Sequence, residues 1–356
     1  MHLKKLLLTV CKFGISAGLL GYVVVKAQQD ASFAQLRDQP KHWGFLLLAC
    51  LLLLASSMIS FFRWYLLVRA LDLPFRVRDA MRLGFLGYML NFVSLGSVGG
   101  DLFKAVFIAR EQHGHRTEAV ATVIIDRLLG LYCLMLVGSL GVLFVDLPDS
   151  LKPIADGTLA CTAIGTICVL LLMVPAVTGS AIERRLERAP IVGGLLRRLV
   201  CAIRMYRNKY TVLFQTLILG IVVHSVTVVS LFCVACGLPG EHPSLAQHLV
   251  IVPLGMLTGI LPLPLGALGA VENVMDYLYL QVCGSNMGLL VAFGYRANTI
   301  LVAMIGGAYY LTSRREVSAA MHEAEAEVEA EGNEASDGPS ASLAGDNLAI
   351  SHESAA

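Results

Sequence analysis

The chain has 356 residues, 56% apolar and only 15% charged, with a mean hydropathy of +0.70; soluble domains carry about 25% charged residues, so this composition excludes one. Its 27 Lys and Arg against 26 Asp and Glu leave a formal charge of +1, which excludes the global basic field of a nucleic-acid binder. Nine of the acids lie after residue 317, where there is no Lys or Arg, so the remainder is basic. Most of the nine cysteines sit in apolar runs, which argues against a disulfide framework or a zinc site; no metal and no cofactor is expected.

An apolar run of about 20 residues crosses a bilayer as a helix, because only internal hydrogen bonding satisfies its backbone there. In chain order the spans expected are 6–25, with Lys12 near one end, then 43–62, 119–145, 158–178, 211–236 and 287–312. The third and the last carry polar residues inside them, Asp126 with Arg127 and Arg296 respectively. Residues 1–27 also fit a secretory signal, but the apolar run is long for one. Two further stretches, 83–98 and 249–282, are apolar but broken by Gly, Ser and Pro. Residues 317–356 read as an acidic disordered tail following a membrane domain at 1–316.

The flanking charges decide how the broken stretches lie. Segment 63–82 holds Arg63, Arg69, Arg76, Arg78 and Arg82; segment 99–118 holds Lys104, Arg110 and Arg116; segment 179–210 holds seven Arg and Lys209. All three read as cytoplasmic, whereas 146–157 and 237–248 read as external. If 63–82 and 99–118 share a side, the stretch between them enters and returns; 249–282 does the same from the other face. The expected fold is an all-α polytopic protein of the cell membrane, with six spans, two re-entrant hairpins and both termini cytoplasmic.

The halves also match each other. Gly96, Gly99 and Gly100 lead into Asp101, with Arg127 following 26 residues later; Gly266 and Gly269 lead into Glu272, with Arg296 following after 24. Hairpin, Gly-rich turn, acid and a span with a buried Arg occur twice, entering from opposite faces. That is the pattern of an inverted repeat, about 5–145 and about 158–312, with a ligand site where the broken helices meet. Close helix packing is the other use of such glycines.

An Arg or Asp near the bilayer centre costs about 2.5–3.5 kcal/mol, so it persists when paired or functional. Arg127 and its neighbour Asp126 point about 100° apart on a helix and pair poorly with each other, so partners from other elements are expected. Arg127 and Arg296 suit lipid phosphate oxygens in a polar cavity; the alternative is structural pairing with Asp101, Asp126 or Glu272 that fastens the hairpins. Asp101 reads as the N-cap of a half-helix, and Glu272 sits similarly, with Asp276 one turn on; either acid could instead meet an ammonium headgroup. His113 and His115 lack further ligands for a metal, His224 reads as a hydrogen-bonded core residue, and Cys233 and Cys236 read as packing. No Walker loop, nucleotide fingerprint or nucleophile elbow occurs in the sequence.

The run Arg63-Trp64, Gly87, Asn91, Gly99-Gly100-Asp101, Arg110 and Asp126-Arg127-Leu128-Leu129-Gly130-Leu131, with Pro264 to Glu272 and Arg296, resembles the lysylphosphatidylglycerol synthase/flippase membrane domain over about 5–312. The first turn, Leu95-Gly96-Ser97, lacks the proline common there, and the basic position after Asp101 is Lys104. The resemblance implies movement of a phospholipid or polyprenyl-linked lipid between leaflets, or an accessory role beside a separate lipid-modifying transferase. It does not imply synthesis, since no aminoacyl-transferase domain follows the last span. Asp101, Arg127, Glu272, Arg296, Asn91 and Asp126 form the expected headgroup-binding set. Membrane lipids are the expected ligands; a lipid-headgroup enzyme using Asp101 or Glu272 as base is the competing reading.

Overall fold

The computed structural model describes residues 38–93, 99–112, 115–173, 204–240, 243–260 and 267–312, with Ala202 and a few single positions before 38. Nearly all of the span expected at 6–25, the turn glycines Gly96 and Gly266, His113, most of the Arg-rich loop and the acidic tail lie outside them. The described residues form helices α1 (Trp43–Ala70), α2 (Val77–Val93), α3 (Gly99–Glu111), α4 (Arg116–Phe144), α5 (Lys152–Met173), α6 (Tyr210–Gly237), α7 (Leu245–Leu257), α8 (Ala270–Cys283) and α9 (Gly288–Thr312), and among them there is no strand.

Five of these helices, α1, α4, α5, α6 and α9, are long and apolar enough to cross a membrane. The remaining four have 17, 13, 13 and 14 residues, or about 20–25 Å at 1.5 Å per residue, short of a hydrocarbon core of about 30 Å. α7 and α8 cover most of the second broken stretch, 249–282, whereas in the first α2 overlaps 83–98 and α3 lies beyond it, in the segment 99–118 read as cytoplasmic.

Two further boundaries correct the sequence reading. The segment 63–82 is not a loop throughout, because α1 continues to Ala70 and takes Arg63 into the interior, 4% exposed. A half-buried Asp126 pairs with it, so the helix does not have to end where the charge begins. Likewise α5 starts at Lys152, inside the segment taken as an external loop, since Leu151 and Ala155 are buried and hold that turn against the protein.

The longest contact is between α1 and α6, which lie antiparallel. His42 N donates to Gly237 O at 3.0 Å, Ser230 Oγ to Ala49 O at 2.7 Å and Ser56 Oγ to Val223 O at 3.0 Å, with Ser56 and Thr227 hydroxyls 2.8 Å apart. Small hydroxyl residues allow close approach, and each hydroxyl satisfies itself on the facing helix. Tyr206 donates to Leu67 O at 3.0 Å beyond one end of this seam. Burial pushes its phenol well above the usual range, with the Asp126 charge acting the same way, so the group stays a donor.

The long helix that follows each pair of short helices packs on the first short helix of the other pair: α4 on α7, and α9 on α2. Glycines make both contacts possible. A Cβ on Gly138 would meet Pro253 at 3.0 Å, and one on Gly306 would overlap Phe85 O. Within each half, α3 packs on α4 and α8 on α9. Thus α1, α2, α3 and α4 have the same set of mutual neighbours as α6, α7, α8 and α9.

Candidate functional site

In the first hairpin α2 and α3 touch at backbone distance. A Cβ on Gly100 would overlap the carbonyl oxygen of Gly87, so only glycine permits the crossing. Asn91 on α2 reaches across, and its Oδ1 accepts the Gly100 amide at 3.0 Å, satisfying one of the free donors at the start of α3. Gly99 and Gly100 are the first two residues of α3 and Asp101 the third, so Asp101 is not the N-cap that the sequence suggested. Its carboxylate is instead committed to cations: Arg127 of α4 donates through Nη1 to Oδ2, and Lys104 Nζ lies 3.6 Å from Oδ1. With Asn91 satisfying that amide, the acid can face the next helix.

The second hairpin places its acid at the same point. Glu272 is the third residue of α8 and bonds Arg296 of α9, with Oε1 at 2.8 Å from Nε and 2.6 Å from Nη2. Its Oε2 accepts the Gly269 amide at 2.7 Å, so here capping and pairing coexist in one side chain. Gly269 has φ +88°, a conformation that favours glycine and aims that amide back at the helix. Asp276 Oδ1 accepts the Leu289 amide at 3.1 Å, which caps α9 rather than leaving the acid for a headgroup.

A deeper equivalence runs through the hairpins. Gly87 is the eleventh residue of α2 and Gly255 the eleventh of α7. The residue three past the acid lies over each: a Cβ on Gly87 would meet Lys104 Cε at 2.8 Å, and one on Gly255 would meet Met275 Cγ at 2.7 Å. The two hairpins share geometry and differ in charge at that position.

A third pair was not foreseen. Arg63 Nε donates to Asp126 Oδ1 at 2.8 Å and its Nη2 to Asp126 O at 3.1 Å, joining α1 to α4. Gly130 and Gly220 make room for the guanidinium, since a Cβ on either would stand 3.1 Å from its nitrogens. His224 Nε2 donates to Gly130 O at 2.9 Å, tying α6 into the same cluster. Neighbouring Asp126 and Arg127 thus serve different helices, as their angular separation requires. Only proximity in the sequence to other arginines hid Arg63; its partner lies 63 residues away.

The exposures separate these groups. Arg127 is 38% and Asp101 24% exposed, whereas Arg296 is 10% and Glu272 2%. The first pair can meet a ligand without being dismantled; the second is sealed by its own surroundings. Fold and site together define a polytopic α-helical membrane protein in which acids on short helices pair with arginines on the long helices that follow. The chain belongs to the family described as Lysylphosphatidylglycerol synthase TM region, whose profile matches residues 9–307. No curated protein and no solved structure matches the chain.

Proposed function

We propose that this protein moves a phospholipid or polyprenyl-linked lipid between leaflets, with the headgroup held at the first hairpin by Arg127, Lys104 and Asp101. The architecture proposed is an inverted repeat, about 5–145 and 158–312, with both hairpins re-entrant and both termini cytoplasmic. The matched neighbours of the two halves, the matched glycines Gly87 and Gly255, and the acid at the third position of α3 and α8 support it. The observation that carries the functional reading is Arg127: a guanidinium near the middle of a 29-residue apolar helix, anchored by an acid and still more than a third exposed. A fork of donors in that position suits phosphate oxygens.

The test is reconstitution in liposomes with fluorescent lipids and a membrane-impermeant quencher. Wild-type protein should exchange headgroups well above empty vesicles, and Arg127→Leu should abolish the gain while the protein still inserts. Exchange at the empty-vesicle rate across phospholipids and polyprenyl phosphates would overturn the proposal.

A second reading, an accessory subunit for a separate lipid-modifying transferase, draws support from Glu272 and Arg296, which are closed to a ligand and act as a fastener. Under that reading Arg127→Leu leaves lipid sidedness in cells unchanged.

A further inference from the structure

The residue that most distinguishes the first hairpin from the second is Lys104, and its surroundings are those of a cation receptor. Its ammonium lies 5.6 Å from the Trp64 ring centroid, 5.8 Å from that of Phe61 and 3.6 Å from Asp101 Oδ1, and the side chain is 14% exposed. Two aromatic faces and a carboxylate around one point favour an ammonium. The receptor walls do not depend on the lysine. Trp64 is fixed by a bond from Nε1 to Thr122 Oγ1 at 3.1 Å and by an edge contact with Phe75, and Phe61 by an edge contact with Phe85.

We infer that Lys104 is a built-in occupant of this cage and sets headgroup specificity, excluding lipids that carry an amine and selecting anionic phosphodiester or phosphomonoester headgroups. The inference rests on the lipid-binding reading of this site. With Lys104 in the cage, a ligand ammonium has neither the aromatic faces nor the carboxylate available to it. Asp101 is shared between Lys104 and Arg127, so two cations converge on one carboxylate. The exposed group is the Arg127 guanidinium, which attracts an anion and repels an ammonium; specificity here comes from the repulsive element as much as the attractive one. At the equivalent place in the second hairpin, Met275 is uncharged and fully buried. That position therefore adds no cation beside Glu272.

The second half also supplies the test variant, since methionine is already tolerated over the equivalent glycine. Full-length protein in nanodiscs is titrated with phosphatidylglycerol and phosphatidylethanolamine of matched acyl chains, with binding read by native mass spectrometry. Wild type should prefer phosphatidylglycerol by roughly tenfold, the scale of one charge-assisted contact. Lys104→Met should lose or reverse that preference, and Lys104→Arg should keep it. Equal binding of both lipids by wild type, or an unchanged ratio in Lys104→Met, would overturn the inference. Displacement of the lipid by soluble glycerol phosphate at millimolar concentration would overturn it too, assigning the site to a free phosphate. Transport is scored separately. Selective binding without exchange between leaflets sinks the transport proposal and leaves this one standing, while exchange that ignores Lys104 does the opposite.

Discussion

Asp101 with Arg127 and Glu272 with Arg296 occupy corresponding places: each acid is third in the second arm of a hairpin, each arginine on the long helix that follows. Yet Glu272 spends one oxygen on its own helix start and is enclosed, whereas Asp101 leaves that task to Asn91, takes two cations and stays partly exposed. The difference teaches that one ion-pair design is a rivet where both members are dry and leaves a charged group accessible where one is not. Which it becomes depends on what packs over the pair.

Mutation can break this contrast. Removing one member of the dry pair, as in Arg296→Leu or Glu272→Ala, should cost about 3–5 kcal/mol by leaving a buried charge uncompensated. Thermal unfolding in detergent measures it, and the double change Glu272→Gln with Arg296→Met should recover a good part. Gly100→Ala should cost about 1–3 kcal/mol, because the methyl group must push α2 and α3 apart, and should slow lipid exchange along with lowering Tm. Asn91→Ala should cost about 1 kcal/mol through the lost contact to the α3 amide; Asn91→Asp, which keeps an acceptor, should lose less in the same melt. The smallest effect on stability belongs to the accessible pair. Arg127→Met should change it by about 1 kcal/mol or less, while abolishing lipid exchange. A large fall in Tm in that variant would make both pairs rivets and erase the distinction.

Five of the six expected spans and both acid–arginine pairs were legible in the sequence because composition and spacing carry them: uninterrupted apolar runs for the long helices, and glycine, acid, then arginine 26 or 24 residues on for the pairs. Arg63 was not legible in the same way. Beside Arg69, Arg76 and Arg78 it reads as loop charge, and only the third dimension brings Asp126 to it. The role of Asp101 was mistaken for a related reason, since an acid after two glycines at a helix start resembles a cap whether or not another side chain has taken the amide. Accessibility, which separates Arg127 from Arg296, has no local signature at all, because it depends on what packs over each helix from distant segments.

The Arg63 guanidinium, wedged where Gly130 of α4 and Gly220 of α6 both lack side chains, has a mechanical consequence. Displacing either helix by one turn, about 5.4 Å, would bring a bulkier residue into that gap and drag a charge into hydrocarbon. The three long helices α1, α4 and α6 are therefore locked in register like a keyed shaft, and under the transport proposal any rocking would have to be taken up by the short helices around them.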